Sequence, residues 1–541
     1  LIPMIASQIA KGEHSRFYHR TEHFFVAMEE RYRYLIHTVL KYKKTTLFTA
    51  LGIFVVSIVL SGTLGMVFMP KEDKSQFDIT LKAPVGISVQ GMKQLSLDVQ
   101  RRIGKIPEVE YCTLYVGRGD DHKANESALY VRLKPLHERT RSQSDVMKET
   151  RTMLESLKGF TMTSVTEVND IANYEINTPY QVILKAQSAD QAEASARKLM
   201  KLLNSIEGTT DVQSNIQPKA PQLNITVLTQ NATRLGVNVD DIAHTIAGAY
   251  SGDSTITFLR ERGKEYDVVM RLDDTKRENI ETINALNVRT SSGGTVPLSA
   301  VVSITDDYAL TTIKRFDRLK KVIVGADITK ALPLDKLVKI VNERQNEWLD
   351  KGVAFELDGD AKHMQESNEA FGVAIGAALV MIYLILAALY ESPLQPLIIM
   401  SALPLSFTGA FIGLWAAGMN MSLFSMMGLM LLLGLVGKNS TLVVDAANRL
   451  RDSGKELDEA IVEAGLSRLR PILMTTTAMC FGMLPLALSV GEGSGVKGPM
   501  GVAVICGLLL STLTSLLVVP ALYKVLAPLD AKLRKLYTIK K

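Results

Sequence analysis

Three cysteines in 541 residues are too few for a disulfide framework. Cys112 stands alone in a polar region, and Cys480 and Cys506 fall in apolar runs where thiols pack as small hydrophobes. The eight histidines are scattered, so no Cys/His cluster of zinc-site spacing forms. No G-x-x-x-x-G-K-S/T element and no H-E-x-x-H element is present, and the enzymatic reading fails for want of such a signal. No cofactor is called for. A net charge of only +5 removes the electrostatic case for a polyanionic partner. The first residues, LIPMIASQIAKGEHSRFYHR, lack the basic, apolar and small-residue order of a signal peptide, and they read as the end of something longer.

What the chain does have is long apolar runs. Mean hydropathy is a mild +0.13, which conceals strong segregation. Six segments reach the roughly 20 apolar residues that cross a bilayer, near 47–69, 370–390, 394–417, 421–445, 471–491 and 499–526. About 300 residues without a span separate the first from the second, enough for two or more globular domains. Before the first span, residues 22–42 carry apolar and aromatic residues at helical spacing among charges, as a helix lying on a membrane face does.

Basic residues mark one side of this arrangement. Lys41, Lys43 and Lys44 precede the first span, while Arg449, Arg451, Lys455, Arg468 and Arg470 fill the connection between the fourth and fifth. Lys524, Lys532, Arg534, Lys535, Lys540 and Lys541 follow the sixth. The alternate short connections hold only Lys497, so the positive-inside rule places both termini in the cytoplasm and the large region outside.

That outside region alternates strand-like and helix-like stretches: strands near 76–84, 109–117, 128–136 and 160–168, with helices over 89–106 and 143–158. A second round reads as a strand at 180–187, a helix at 189–206, a strand ending at 223–229 and a helix over 238–250. The strands of YDVVMRLDD, TVPLSAVVSI and KKVIVGADI complete it. Two split βαβ units in one head are the expectation. The loop GRGDDHKANES (117–127) has two readings: a solvated hairpin loop, or a mobile flap beside a ligand path flanked by Tyr111, Tyr115 and Tyr130.

Lys438 is the anomaly within the spans. It lies in the middle of an apolar stretch, where an ionisable group costs about 2.5–3.5 kcal/mol at the bilayer centre and faces a protein interior or serves ion movement. Asn439 adjoins it, and Asp445 is seven residues on, sharing its helix face about 10.5 Å along the axis. Arg468 and Thr475 repeat that spacing on the next span, although Asp445 and Arg468 sit near an edge where they reach water. No carboxylate lies deep in the six spans, so the counter-charge for Lys438 is expected from protein outside this chain.

GLVGKNSTLVVDAANR, RLRPILMTT and GEGSGVKGP, with LAALYESPLQPL and FMPKEDKSQF, resemble the C-terminal half of resistance-nodulation-division (RND) multidrug exporters, the hydrophobe/amphiphile efflux branch. The resemblance covers essentially the whole chain. It implies an α+β membrane protein with six transmembrane helices and a large periplasmic head of split βαβ (ferredoxin-like) porter subdomains and a docking subdomain. Under it, 1–46 is the end of a preceding span and a cytoplasmic surface helix, 47–69 the family's seventh span and 70–368 the head. Spans eight to twelve then fill 369–527, and a basic tail follows at 528–541. The family's tenth-span Lys matches Lys438 and works against two Asp of the fourth span, which lies in an N-terminal half absent from this chain. Arg468 and Thr475 match the family's eleventh-span pair, and with Asn439 and Asp445 they complete the implied proton relay. The family's Gly-rich flap matches Gly117, Arg118 and Gly119, with Tyr115 before it, Tyr130 on the following strand and Tyr111 nearby, as a substrate path.

The resemblance also implies proton/substrate antiport in a bacterial inner membrane and a trimeric head. A hairpin within 251–265 would interlock with a neighbour or meet an outer-membrane channel, and a periplasmic adaptor is a further partner. Hydrophobic and amphiphilic small molecules are the implied substrates. Two other readings stand beside this one: a heavy-metal exporter of the same superfamily, and a non-transporting half subunit that needs a separate N-terminal half.

Overall fold

The computed structural model describes residues 16–117, 123–168, 176, 178–216, 219–252, 257–277, 280–310, 312–329, 331–489 and 495–538. The expected end of a preceding span at residues 1–12 therefore lies outside the described residues. The chain forms two compact units, one of residues 1–83, 89–216 and 314–541, the other of 84–88 and 217–313.

The larger unit opens with helix α1 (Arg16–Lys41), whose Tyr32, Ile36 and Leu40 recur every four residues and are buried, while Arg31, Arg33 and Leu35 stay exposed. That stripe makes α1 amphipathic, as its sequence requires. Helix α2 (Lys43–Ser61) follows directly. It stops eight residues before the expected boundary at 69. Gly62 and Gly65 lie where the helix yields to a bridge between Met66 and Met421, and Asp335 accepts a hydrogen bond from the Met66 amide at 2.8 Å. These tertiary contacts end the helix despite continuing apolar sequence.

The first sheet follows the split βαβ pattern. Strand β1 (Gln76–Lys82), helix α3 (Val89–Ile103), β2 (Val109–Val116), β3 (Glu126–Leu133), α4 (Gln143–Glu155) and β4 (Met162–Glu167) assemble in the order β2-β3-β1-β4. In β1 the alternation is strict: Phe77, Ile79 and Leu81 are fully buried, and the residues between them are not.

The second round begins as expected with β5 (Tyr180–Ala186), α5 (Ala189–Ser205) and β6 (Thr209–Ser214). Here the smaller unit intervenes. It holds β7 (Lys219–Val227), α6 (Thr229–Leu235), α7 (Val239–Tyr250), the hairpin β8 (Thr257–Glu261) and β9 (Lys264–Val268), and β10 (Asn287–Arg289), β11 (Thr295–Pro297) and β12 (Val302–Leu310). The larger unit resumes with β13 (Arg315–Phe316), β14 (Leu319–Ile328), α8 (Leu334–Glu343) and β15 (Ala354–Asp358). The sheet order is β13-β14-β5-β15 with β6 also on β14, so β6, β14, β5 and β15 repeat the arrangement of the first sheet. This corrects the expectation for 223–229 and 238–250, and for YDVVMRLDD and TVPLSAVVSI, which fall in the smaller unit and do not complete the second sheet. The strand pairs with β12 in the smaller unit from Val227↔Val302 to Lys219↔Leu310, and KKVIVGADI supplies the third strand of the second sheet. Periodicity gave the strands; it carried no information on which distant partner each would find.

The remaining chain is helical: α9 (Gly359–Tyr390), a short helix Gln395–Met400 leading into α10 (Ala402–Ala416), α11 (Leu423–Asp452), α12 (Leu457–Ala487) and α13 (Gly498–Thr538). With α2 these give six helices long and apolar enough to cross a membrane among the described residues. Helix α13 runs through the expected tail to Thr538, and residues 539–541 lie outside the described residues.

Candidate functional site

Helix α11 starts at a capping box, where the Ser425 amide donates to Ser422 Oγ at 3.4 Å and the Ser422 amide to Ser425 Oγ at 2.8 Å. From there one stripe turns away from the bundle. Met427, Leu431, Gly434 and Lys438 are exposed, Thr441, Leu442 and Asp445 are half-buried, and Arg449 is exposed. Spacings of three and four residues place them on one helical face. The opposite face packs Leu432, Val436, Val443 and Val444 into the core. Lys438 is the sixteenth of thirty residues in α11, roughly 20 Å from either helix end.

The five expected relay residues do not form a connected chain. Lys438 makes no hydrogen bond or ion pair among the described residues. Asp445, on the same stripe, is paired with Arg449 at 2.8 Å. Asn439 is 1% exposed on the inward side, and its side-chain nitrogen has no partner. On α12, Arg468 carries a buried, unpartnered Nε, and Thr475 donates back to the Ile472 carbonyl at 3.0 Å. What the structure brings together is different: Ser440 with Ser515 and Thr476 with Thr512, each pair of hydroxyls 2.9 Å apart, a polar seam between α13 and its neighbours α11 and α12.

Two further charged features escaped the sequence reading. Arg470 reaches α1, donating to Glu22 at 2.9 and 3.0 Å and to Glu29 at 2.5 Å, with its guanidinium over the Phe25 ring. Glu22 and Glu29, seven residues apart on one amphipathic face, were the available signal. Asp530, just past the expected end of the last span, is buried and accepts from Ser392 and Gln395. Gln395 in turn accepts from Asn448 at 3.0 Å, and Tyr523 donates to Asn448 at 2.6 Å.

In the first sheet, Tyr111 and Tyr115 are exposed on one face of β2, and the register Thr113↔Tyr130 puts Tyr130 on that same face. The Tyr111 and Tyr130 ring centroids lie 6.2 Å apart, and Tyr130 donates to Gln76 Oε1 at 2.7 Å. Burial, then the neighbouring Tyr111, pushes the Tyr130 phenol above its ordinary range. Gly117 opens the loop with φ +68°, a left-handed turn suited to glycine, and its amide donates to Glu126 at 2.8 Å. Arg118 and Gly119 lie outside the described residues. A cavity of about 500 Å³ opens elsewhere in the larger unit, lined by Phe68, Lys71, Glu72, Asp327, Leu332 and Asp360 among others; none of the three tyrosines lines it.

Residues 1–527 match the AcrB/AcrD/AcrF family. Two crystal structures of a heavy metal efflux pump, in two crystal forms, are similar in fold, each with a TM-score of 0.83. Identities are 24% and 25%, and each alignment covers 93% of this chain and 52% of the other. The chain thus spans about half the length of the structures it matches.

Proposed function

The chain belongs to the AcrB/AcrD/AcrF family, and from that premise we propose that it serves as the C-terminal half of a proton-driven exporter of hydrophobic and amphiphilic compounds. The observation that carries the reading is Lys438, an ammonium at the midpoint of an apolar helix, turned out of its own bundle and unmatched among the described residues. Such a group must be paired or lose its proton. The matching carboxylates come from a second polypeptide or segment laid along the Met427–Asp445 stripe, where Gly434 permits close approach of a helix.

In this reading an ionised Asp pair on the N-terminal half holds Lys438. Proton uptake by that pair releases the ammonium, which turns towards Asn439 and Thr475, and α11 and α12 tilt. The bridge between Met66 and Met421, just before α11, and Glu72 accepting from the amides of Gly495 and Val496, just before α13, tie the helices to the stretch that leads into the first sheet. The head then alternates between open and occluded forms, with Tyr111, Tyr115 and Tyr130 offering an aromatic surface to substrate. Trimer, adaptor and outer channel complete the assembly in an inner membrane, with the sheets in the periplasm.

The heavy-metal reading has one specific support, the fold similarity to a heavy metal efflux pump. A single experiment separates the two. Both halves are co-expressed in cells lacking other pumps, and dye efflux and copper resistance are measured with and without a protonophore. We expect protonophore-sensitive dye efflux that falls to background in Lys438→Met, with both halves still co-purifying. Undiminished dye efflux by that variant removes Lys438 from the mechanism; copper resistance without dye efflux assigns the metal branch.

A further inference from the structure

At the basic end of the bundle, α1, α2, α10 and α13 enclose a groove of about 410 Å³. Its lining includes Thr38, Tyr42, Thr46, Ile53, Leu513 and Leu517. That volume lies within the roughly 300–1,000 Å³ of ordinary ligand pockets.

Four of the five threonines of this groove look polar only in sequence. Thr38 donates to the Tyr34 carbonyl at 3.0 Å, Thr46 to Tyr42 at 3.3 Å, Thr49 to Thr45 at 2.9 Å and Thr514 to Ser511 at 2.9 Å. With their hydroxyls committed to their own helices, these side chains offer the groove methyl groups. The interior therefore suits hydrocarbon and offers little to a polar solute.

Its mouth is the opposite. Lys41, Lys43 and Lys44 fall within four residues of one another beside Tyr42, and none forms an ion pair among the described residues. Tyr42, at φ −105° and ψ +39°, breaks the path between α1 and α2, while backbone hydrogen bonds from Tyr42 to Thr38 and from Thr46 to Tyr42 bridge the junction and set Lys41 directly before this groove-lining residue. Its ammonium lies 5.6 Å from the Tyr42 ring centroid. Three other basic residues of this end are matched: Lys524 with Asp458 at 2.7 Å, Arg470 with Glu22 and Glu29, and Lys455 with Glu463. Three cations without an ion pair among the described residues thus flank Tyr42, a lining residue of the hydrocarbon slot, at one end of the first long apolar helix. A basic pocket between spanning helices is the chemistry that recognises a lipid phosphate.

We infer that this groove is a binding site for one anionic phospholipid, with an acyl chain along Tyr42, Ile53, Leu513 and Leu517 and the headgroup phosphate on Lys41, Lys43 and Lys44. The inference stands apart from the transport cycle, since it uses neither Lys438 nor the head.

The test uses the full purified chain in detergent, titrated with dioleoyl phosphatidylglycerol or dioleoyl phosphatidylcholine, and native mass spectrometry counts the retained lipid. We expect one phosphatidylglycerol to be held at a concentration about tenfold below that for phosphatidylcholine. The triple variant Lys41→Gln, Lys43→Gln, Lys44→Gln should erase the preference while circular dichroism stays unchanged. Leu513→Trp, which fills the slot without touching the charges, should lower retention of both lipids. Equal retention of the two lipids, a preference that survives the triple variant, or retention indifferent to Leu513→Trp overturns the proposal. Complete displacement by glycerol phosphate alone also overturns it, because the site would then be one for a free anion.

Discussion

Asp211 and Asp327 meet between the two sheets, and both side chains are almost wholly buried. Arg151 from α4 donates to Asp211 at 2.7 Å and to the Val165 carbonyl at 2.7 Å, and Lys71 is 2.6 Å from Asp327. Asp211 also sits at φ +49°, a conformation its neighbours must impose. Burial, with Asp327 adding to it, holds the Asp211 carboxyl above the usual carboxylate range, and Arg151 pulls the other way. A carboxyl whose folded pKa exceeds its unfolded value binds more protons when folded, so stability falls as pH rises between those two values. Arg151→Ala removes the compensating cation. We expect it to cost roughly 3 kcal/mol near neutral pH, seen as a lower melting temperature of the full chain in detergent. Acidification from pH 7 towards 5 should recover part of that loss. A deficit independent of pH would mean that the lost packing of Arg151, and not the stranded charge, is responsible.

Among the elements, close contact between α10 and α13 rests on small residues. A Cβ at Gly409 would sit 2.5 Å from the Cys506 carbonyl oxygen, and one at Gly413 would sit 2.5 Å from Cys506 Sγ. Glycines four apart let two helix backbones approach, as in other membrane bundles. Gly409→Val pushes against backbone that has nowhere to move, and we expect the yield of folded, detergent-soluble chain to drop several-fold. Gly434→Ala is the control. Nothing lies within 4 Å of a Cβ built there, so the isolated chain should keep its yield and melting temperature. Equal losses in both variants would show that helix propensity, and not interhelical contact, governs these sites. The six long helices were legible because twenty apolar residues are a local quantity. The glycine contacts were not, since GAFIG reads the same whether its face meets lipid or another helix.

For the whole molecule, the decisive surface is the α11 stripe that the described residues leave uncovered. We expect single cysteines at Leu431 and Gly434, introduced into a chain with Cys112, Cys480 and Cys506 replaced by serine or alanine, to react with a small maleimide. Co-expression of an N-terminal half should protect them at least several-fold. Unchanged reactivity in an intact two-part complex would place the second half elsewhere and deprive Lys438 of its proposed partner. The candidate relay was readable as residue types: Lys438, Asn439, Asp445, Arg468 and Thr475 all stand out against apolar surroundings. Their connection was not readable. Asn439 faces inward while its neighbour Lys438 faces outward, and adjacent positions on a helix point about 100° apart.

Hydropathy, periodicity and the placement of basic residues settle matters that depend on near neighbours along the chain. They gave six apolar helices, an amphipathic leading helix, two rounds of strand and helix, and one misplaced ammonium. Tertiary structure alone decided that the second round is split by an inserted unit, that β7 pairs with β12, that Asp530 and Arg470 find partners, and that α2 ends at Ser61. Each of those outcomes depends on contacts across tens to hundreds of residues, whose free energy exists only once the intervening chain has folded.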